Sequence, residues 1–402
     1  MPLRPKQPAA TAAPRRVALL LDRSLSFVRG VLRGIRAYAA TRPDWVVRDG
    51  PPRLYLVRRV QEWKPHGIIA GLVLPEVAQR LIRLRRPLID TGFALPGLGV
   101  PTVDVDHAAV GRMAAEYYLE RKFVHFGFYG SGFACYARTE ERAFRERLAQ
   151  AGYTVSSCHS DFLPDAIASA LWRRSAERTV RWLRRLPKPV AIFSCEDTPV
   201  RYLADLCRQL GLRVPDDVAL LGVGNDELEC RLTAPWLSSI EVPSERIGFE
   251  AAALLDRWMD GNPPPQEDVF LPPLRVVTRH STDITAVEDE TVQAALAFIR
   301  QHAAQRIRVA DVCYALAVSR RGLERRFRRV LGRSVLEQIR KVRTDTAASL
   351  LADTDLPVFA VARQAGFTSV RQLDVTFARL EGMSPTAYRR RARAVRDVPS
   401  AG

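Results

Sequence analysis

Between Arg308 and Arg390 the chain runs through one plan twice: a short helix, a turn and a second helix, with a single longer helix separating the two units. That arrangement constrains the fold more than any other stretch, because both second helices must then be held at a fixed spacing by the helix between them. In the first unit Val309, Val312, Cys313 and Leu316 recur at i, i+3, i+4 and i+7, the apolar stripe of a helix. Ala317–Val318 make the turn, and Ser319 stands where an N-cap accepts orphan helical N–H groups. The next helix turns Leu323, Phe327, Val330 and Leu331 to one side. At 3.6 residues per turn, Arg321, Arg325, Arg328 and Arg329 then face the other way. A short helix with a packed face and a guanidinium face suits a major groove, where arginine forks meet guanine edges or clamp phosphates.

The second unit repeats the plan fifty positions later, with Ser369 in the place of Ser319. Val358, Val361 and Ala362 form its stripe, and Gly366 makes its turn. Leu373, Phe377 and Leu380 are expected inside, with Arg371, Gln372 and Val375 outside. Between the units Gly332 closes one helix, and Ser334–Glu337 offers a capping box to the next. That long helix, burying Val335, Ile339, Val342, Thr346 and Leu350, would be a strut holding two reading helices about one DNA turn, roughly 34 Å, apart. The expected contacts to double-stranded DNA are Arg320, Arg321, Glu324, Arg325 and Arg328 in the first unit. Ser369, Arg371, Gln372 and Arg379 are those of the second, which should mostly position the backbone.

These residues also carry a resemblance. Leu323–Arg329 with Gly332-Arg333-Ser334, then Leu350-Leu351, Thr354-Asp355, Gly366-Phe367, Phe377, Gly382-Met383-Ser384-Pro385 and Tyr388-Arg389-Arg390 resemble the DNA-binding domain of arabinose-activator-type (AraC family) transcription factors. Two departures stand out. Ala317 occupies a first-turn position where that family usually has glycine, and Gln372-Leu373 and Val375 replace its usual aromatic pair and a frequent arginine.

The chain has 402 residues and a formal charge of +17, which favours a polyanionic partner. From Ala286 onward there are 21 basic and 12 acidic residues, so the net +9 is concentrated in under a third of the length. Six cysteines (135, 158, 195, 207, 230 and 313) form no C-x-x-C pair and no zinc spacing, and are read as buried, reduced thiols. No apolar core marks the first residues as a signal peptide and no run of about eighteen apolar residues occurs, so the expected protein is cytoplasmic and soluble, with no membrane partner. No cofactor is expected.

Residues 1–14, rich in proline and alanine, read as a disordered tail. From Val17 short apolar strands alternate with amphipathic helices: strands at Val17–Leu21, Gly67–Leu74, Pro87–Thr91, Val103–Asp106, His125–Tyr129, Val190–Ser194 and Val218–Val223. The helices between them are expected at Arg29–Ala40, His107–Glu120, Thr139–Ala151, Glu177–Leu186 and Pro199–Leu210. Such βα alternation over about 260 residues argues for doubly wound parallel sheets in two lobes with a cleft. The expected architecture is therefore a two-lobed α/β sensor domain at 15–282, a linker at 283–290, an all-α double helix-turn-helix domain at 291–395, and a tail at 396–402.

Ligands of such sheets bind at the carboxyl ends of strands. The groups expected there are Asp22, Ser24, Phe27, Asp106, Tyr136, Asp197, Asn225 and Asp226, a mixture of carboxylates, amides and aromatic faces that suits a neutral polyol. Each of the polar ones serves equally well as a helix cap or turn former. VALLLDRSLSFVRGVLRGIRAY at 17–38, VPTVDVDHAAVGRMAAEYYLERKFVHFGFYG at 100–130 and GLRVPDDVALLGVGNDELECRL at 211–232 are similar to the effector fold shared by lactose-repressor-type regulators and periplasmic sugar-binding proteins. That fold ahead of this helix-turn-helix domain resembles the xylose-responsive type of transcriptional activator, and residues 271–303 resemble its join. The resemblance implies a regulator controlled by a small-molecule effector, a sugar, acting as a homodimer and contacting RNA polymerase if it activates. Gly224 stands where an aspartate is usual, and Cys135-Tyr136 where an arginine–tryptophan pair is usual. Losing a carboxylate and a guanidinium removes two charge-assisted contacts to sugar hydroxyls, so a carbohydrate-like effector is expected rather than xylose in particular.

Two rival readings stay open at this level. One is a DNA-binding regulator whose sensor is degenerate and ligand-free. The other is a carbohydrate- or nucleotide-processing enzyme, to which Gly127, Gly130 and Gly132 in HFGFYGSG lend a loose likeness to a phosphate loop. The spacing is not G-x-G-x-x-G, and no Walker, G-x-S-x-G or H-E-x-x-H motif occurs. The Asp104–Asp106 pair lacks a third ligand for a metal.

Overall fold

In the computed structural model, which describes residues 14–95, 97–159, 170–264, 266–283 and 289–396, the apolar run after Arg15 becomes the inner strand of a parallel sheet. Of the expected tails and linker, residues 1–13, 284–288 and 397–402 lie outside the described residues. The chain divides into two compact units, Met1–Ile284 and Thr285–Gly402.

The first unit begins with β1 (Arg15–Leu20), α1 (Ser26–Ala39), β2 (Trp45–Gly50), α2 (Leu54–Trp63), β3 (Gly67–Ala70), α3 (Pro75–Arg83) and β4 (Leu88–Asp90). The sheet order is β2-β1-β3-β4, all parallel. Its inner strands are apolar without alternation because both faces are covered: Val17, Ala18, Leu19 and Leu20 of β1 and Ile68, Ile69 and Ala70 of β3 are all buried. β5 (Val103–Val105) then leads into a second lobe. There α4 (His107–Glu120), β6 (Phe126–Gly130), α5 (Cys135–Gln150), β7 (Val155–His159), α6 (Ala170–Arg185) and β8 (Val190–Ser194) follow one another. α7 (Asp197–Gln209), β9 (Val218–Val223), α8 (Glu227–Arg231) and β10 (Ser238–Glu241) complete the alternation. The chain returns to the first lobe in α9 (Ser244–Met259), pairs β11 (Val269–Leu271) in parallel with β5, and ends with β12 (Arg275–Val277). The second sheet runs β12-β10-β9-β8-β6-β7, with only β12 antiparallel.

α1 and α9 cross so closely that a side chain could not fit at the contact. A Cβ on Gly34 would fall 1.8 Å from the Glu245 carbonyl oxygen, and one on Gly248 1.9 Å from that of Val31. The buried Asp256 carboxylate of α9 adds polar ties, accepting from Tyr38 Oη at 2.8 Å and Trp45 Nε1 at 3.2 Å and pairing with Arg15 and Arg42. One carboxylate thus gathers β1, α1, the turn after it and β2.

The described residues of the second unit form helices and no strand: α10 (Glu290–His302), α11 (Val309–Ala315), α12 (Arg320–Leu331), α13 (Val335–Asp353), α14 (Val358–Gln364), α15 (Val370–Glu381) and α16 (Pro385–Arg396). α13 packs against α10, α12, α14, α15 and α16, as a strut should. The Ser334–Glu337 capping box forms at its start in both directions. Arg343, nearly buried, donates to the carbonyls of Ala303 and Ile307 at 3.0 Å each, closing the turn before α11. Leu323, Phe327, Leu373 and Phe377 are buried as their spacing demands, but Leu380, expected inside with them, is 45 % exposed.

The two turns differ in strain. Ala317 is held at φ 52°, the left-handed region that costs an L-residue about 1–2 kcal/mol. Gly366 sits at φ 84°, and a Cβ there would lie 2.3 Å from the Ala303 carbonyl oxygen. Ala317→Gly should therefore stabilise this unit by about 0.5–1 kcal/mol, while Gly366→Ala should destabilise it by about 2 kcal/mol or more. Urea unfolding of the two variants checks this: shifts of the same sign would contradict it.

Candidate effector cleft and nucleic-acid interface

Most of the polar groups at the strand ends are engaged locally. Asp22, after β1, accepts from the Ser24 N–H at 3.0 Å and the Ser24 hydroxyl at 2.7 Å, so both residues close their own turn. Phe27 is half-buried in the first turn of α1. Asp106 caps α4, accepting from the Ala109 N–H at 2.8 Å. Asp226 caps α8 through the N–H groups of Leu228 and Glu229, and its other oxygen takes Arg29 of α1 at 2.9 Å. That ion pair joins the two lobes.

Asp197 opens α7 with only 3 % of its surface exposed. Its Oδ2 accepts from the Asp226 N–H at 2.7 Å, which draws the turn after β9 against α7. Burial pushes this carboxyl up to about 7, against the lowering effect of hydrogen bonds from Ser239 and the Asp226 N–H. Gly224 explains itself here. It has φ 116°, and a Cβ would lie 3.4 Å from Asp197 Oδ2 and 3.7 Å from Ser26 Oγ. There is room for a Cβ, but an aspartate at 224 would be strained at that φ and would set a second carboxyl beside the buried Asp197. Asn225, at φ 52°, donates its N–H to Ser239 Oγ at 2.9 Å and accepts from Arg279 at 2.6 Å.

A cavity of about 670 Å³ opens between Ser26, Arg29, Arg33 and Ser244 on the first lobe and Gly224–Leu228, Arg231 and Leu232 on the second. Asn225 and Asp226 line it; Asp22, Ser24, Phe27, Asp106, Tyr136 and Asp197 do not. Tyr136 lines a separate cavity of about 20 Å³ at the ends of β6 and β8, with Tyr129, Ser131, Cys195 and Glu196. The Tyr136 hydroxyl donates to Glu196 at 2.5 Å. Burial raises both the tyrosine and the glutamic acid above their usual ranges. Sequence reasoning missed Glu196, although it adjoins Asp197 at a strand end, and Arg29, whose only signal was its place one turn into α1.

Behind these loops lies the lobe junction. His107 Nδ1 meets Glu140 of α5 at 2.7 Å, and its Nε2 is 3.8 Å from Asp104 of β5. Burial alone would push the imidazole down, but the two carboxylates carry it well above its usual value. Phe93, from the loop after β4, stacks on the ring at 5.7 Å with planes 7° apart. The carbonyls of Phe93 and Ala94 accept from the N–H groups of Tyr136 and Cys135. Among the described residues no group of three or more His, Cys, Asp or Glu is arranged to hold a metal.

In the helical unit Ser319 and Ser369 cap α12 and α15, accepting from the Gly322 and Gln372 N–H groups. Arg320, Arg321, Arg325 and Arg328 are exposed and lie in no ion pair among the described residues. Arg329, expected beside them, instead pairs with Asp289 at 3.1 Å, as does Arg326 at 2.9 Å. Glu324 turns toward the start of α13, accepting from the Val335 N–H at 3.3 Å. In α15 Arg371 and Arg379 are exposed, whereas Gln372 Oε1 accepts from the Thr368 N–H and hydroxyl at 2.9 and 2.8 Å. Asp289 and the Gln372 cap were invisible to a helical wheel, which gives direction but not neighbours. No helix among the described residues is long and apolar enough to cross a membrane.

Residues 96–282 match the family of periplasmic binding protein-like domains, and residues 312–391 match a helix-turn-helix domain family. The xylose operon regulatory protein of Escherichia coli K12 is 27 % identical over 383 residues, covering 93 % of this chain and 96 % of that protein. Its Haemophilus influenzae counterpart is 26 % identical over 93 % of this chain and 98 % of its own length. Among solved structures, that of the xylose-binding transcription activator xylR superposes with a TM-score of 0.77 at 26 % identity, covering 94 % of this chain and 99 % of that one.

The junction has a pH signature. Asp90 at the end of β4 is buried, which pushes its carboxyl up to about 7 from an ordinary 3.8, against hydrogen bonds from the Leu72 and Gly92 N–H groups. Between those values the folded chain holds a proton that the unfolded chain has lost, so stability falls as pH rises through that window. Asp90→Asn keeps the acceptor and removes the titration. Its melting temperature should exceed that of the unsubstituted protein by a margin that widens from about pH 4.5 to about pH 8. A margin independent of pH would contradict the assignment.

Proposed function

We propose that this chain, a DNA-binding transcription regulator joining a periplasmic-binding-protein-like domain to an arabinose-activator-type helix-turn-helix domain, is controlled by a small carbohydrate-like effector held between the lobes of its first unit. The observation that carries the reading is the convergence of both lobes on one turn: Ser26 and Arg29 from α1 meet Gly224 and Asp226 after β9, beside a cavity lined from both sides. Asn225 and Asp226, which line that cavity, offer donors and acceptors to hydroxyls, while Asp22, Ser24, Phe27, Asp106, Tyr136 and Asp197 stand off it at the strand ends and helix starts and would reach an effector only if the lobes rearranged around it. Several of these groups are committed to local hydrogen bonds, so the effector would be met by turns already set in place rather than by loose side chains. The relatives are a xylose operon regulator and a xylose-binding activator, which supports a sugar without fixing which one.

On the DNA side, Arg320, Arg321, Arg325 and Arg328 present guanidinium groups to the first groove. Arg371, Arg379 and the capped start of α15 at Ser369 hold the backbone at the second. The regulator reading assigns the cleft to binding without catalysis and places the protein in the cytoplasm with its DNA. Pairing of two sensor units would give a homodimer that delivers two helix-turn-helix domains to DNA. Contact with RNA polymerase follows if the outcome is activation.

The experiment is a thermal-shift screen of the full chain against pentoses, hexoses and their reduced polyols. At least one should raise the melting temperature with saturable dependence. Asp197→Ala, which frees the Gly224–Asp226 turn, should erase that shift while leaving DNA affinity without sugar nearly unchanged. A screen with no responder would favour the ligand-free sensor. Light scattering of residues 15–282 is expected to return a dimer at tens of micromolar, and a monomer there would remove the pairing from this account.

A further inference from the structure

The two recognition helices match position by position at an offset of fifty residues. Ser319 and Ser369 cap them, Leu323 and Leu373 and then Phe327 and Phe377 pack them, and Gly332 and Gly382 end them at φ 66° and 70°. In that register Arg321 and Arg371 coincide, as do Arg329 and Arg379, and Arg325 falls on Val375. Val375 is 66 % exposed, although the inward face of α15 at Leu373, Thr376 and Phe377 is buried. It stands one turn from Arg371 on one side and one turn from Arg379 on the other, both exposed. Gln372, the nearest amide, has its carbonyl oxygen committed to Thr368. A β-branched apolar residue is a poor choice for a solvated helix surface on propensity alone.

We propose that Val375 is a base-reading residue that selects thymine in the second groove through contact with its C5 methyl group, while Arg325 at the matching place in the first groove selects guanine. The inference rests on the DNA-binding reading above and sharpens it: the site is chemically asymmetric even though the two helices are built alike. Thymine carries the one apolar group that base edges offer in the major groove, and guanine presents the O6 and N7 acceptors an arginine fork fits. The exposed isopropyl group is dry only when it meets such a methyl, and Arg371 and Arg379 on either side supply the phosphate contacts that would press the helix down.

The test starts from duplexes that the full chain enriches out of a randomised pool. The recovered site should hold a fixed thymine in one groove and a fixed guanine one helical turn away. Replacing that thymine by deoxyuridine, which lacks only the methyl, should weaken binding about fourfold, the worth of burying one methyl group. Val375→Ala should bind the thymine and deoxyuridine duplexes equally, and circular dichroism checks that this exposed substitution leaves the fold intact. Arg325→Ala should lose the guanine preference and keep the thymine one. Equal binding of the two duplexes by the unsubstituted protein overturns the proposal, as does a Val375→Ala variant that still tells them apart. Enrichment of no sequence at all would remove the sequence-specific reading along with it.

Discussion

An imidazole held between two buried carboxylates sits where the chain first passes from one lobe to the other. His107 begins α4 directly after the crossover strand β5, Asp104 lies on that strand, and Glu140 reaches in from α5. Burying such groups costs several kcal/mol each unless they are paired in good geometry. The pairing therefore makes the junction exacting, and it fixes more than its own members. Phe93 from the first lobe stacks on the ring, and its neighbouring carbonyls receive the N–H groups that begin α5. Tyr136, in the first turn of α5, is thereby set against Glu196 at the end of β8. The small cavity at the ends of β6 and β8 is thus tied to that junction.

In the same lobe, next to Glu196, the ordering group is Asp197, which accepts from the Asp226 N–H and so holds the turn after β9. Arg29 crosses from α1 to the same turn. A ligand can shift the lobes only by its differential affinity for their arrangements, and these are the contacts whose geometry would change. In the helical unit α13 plays the corresponding organising part. It touches both recognition helices, and its capped start and the Arg343 clamp make it rigid.

The sequence made the double helix-turn-helix unit legible almost to the residue, because caps, apolar stripe and turn all recur in one register. Ser319, Ser369 and the Ser334–Glu337 box do what their chemistry requires. The strands His125–Tyr129, Val190–Ser194 and Val218–Val223 were equally plain, being apolar runs buried on both faces. Elements without such signals were not found. β2 is an edge strand with four exposed residues in succession, and β10, β11 and β12 are only three or four residues long. α1 and α5 begin earlier than expected since Leu25 and Ala134 offer no side-chain cap. At the candidate cleft the eight expected residues do lie at strand ends or helix starts, but which of them face a cavity depends on turns closed by non-local partners. Glu140, Arg29 and Arg279 come from mid-helix or distant positions that no local pattern marks.

The central claim joins the two halves by a coupling free energy, and such coupling is reciprocal. If a sugar bound in the cleft alters operator affinity, the operator must alter sugar affinity by the same factor. The direct measurement is calorimetric titration of the responding sugar into the full chain, once alone and once saturated with its enriched duplex. The account predicts two dissociation constants that differ by about 5- to 150-fold, matching the change in DNA affinity that the sugar causes. Identical constants in the two titrations would contradict it.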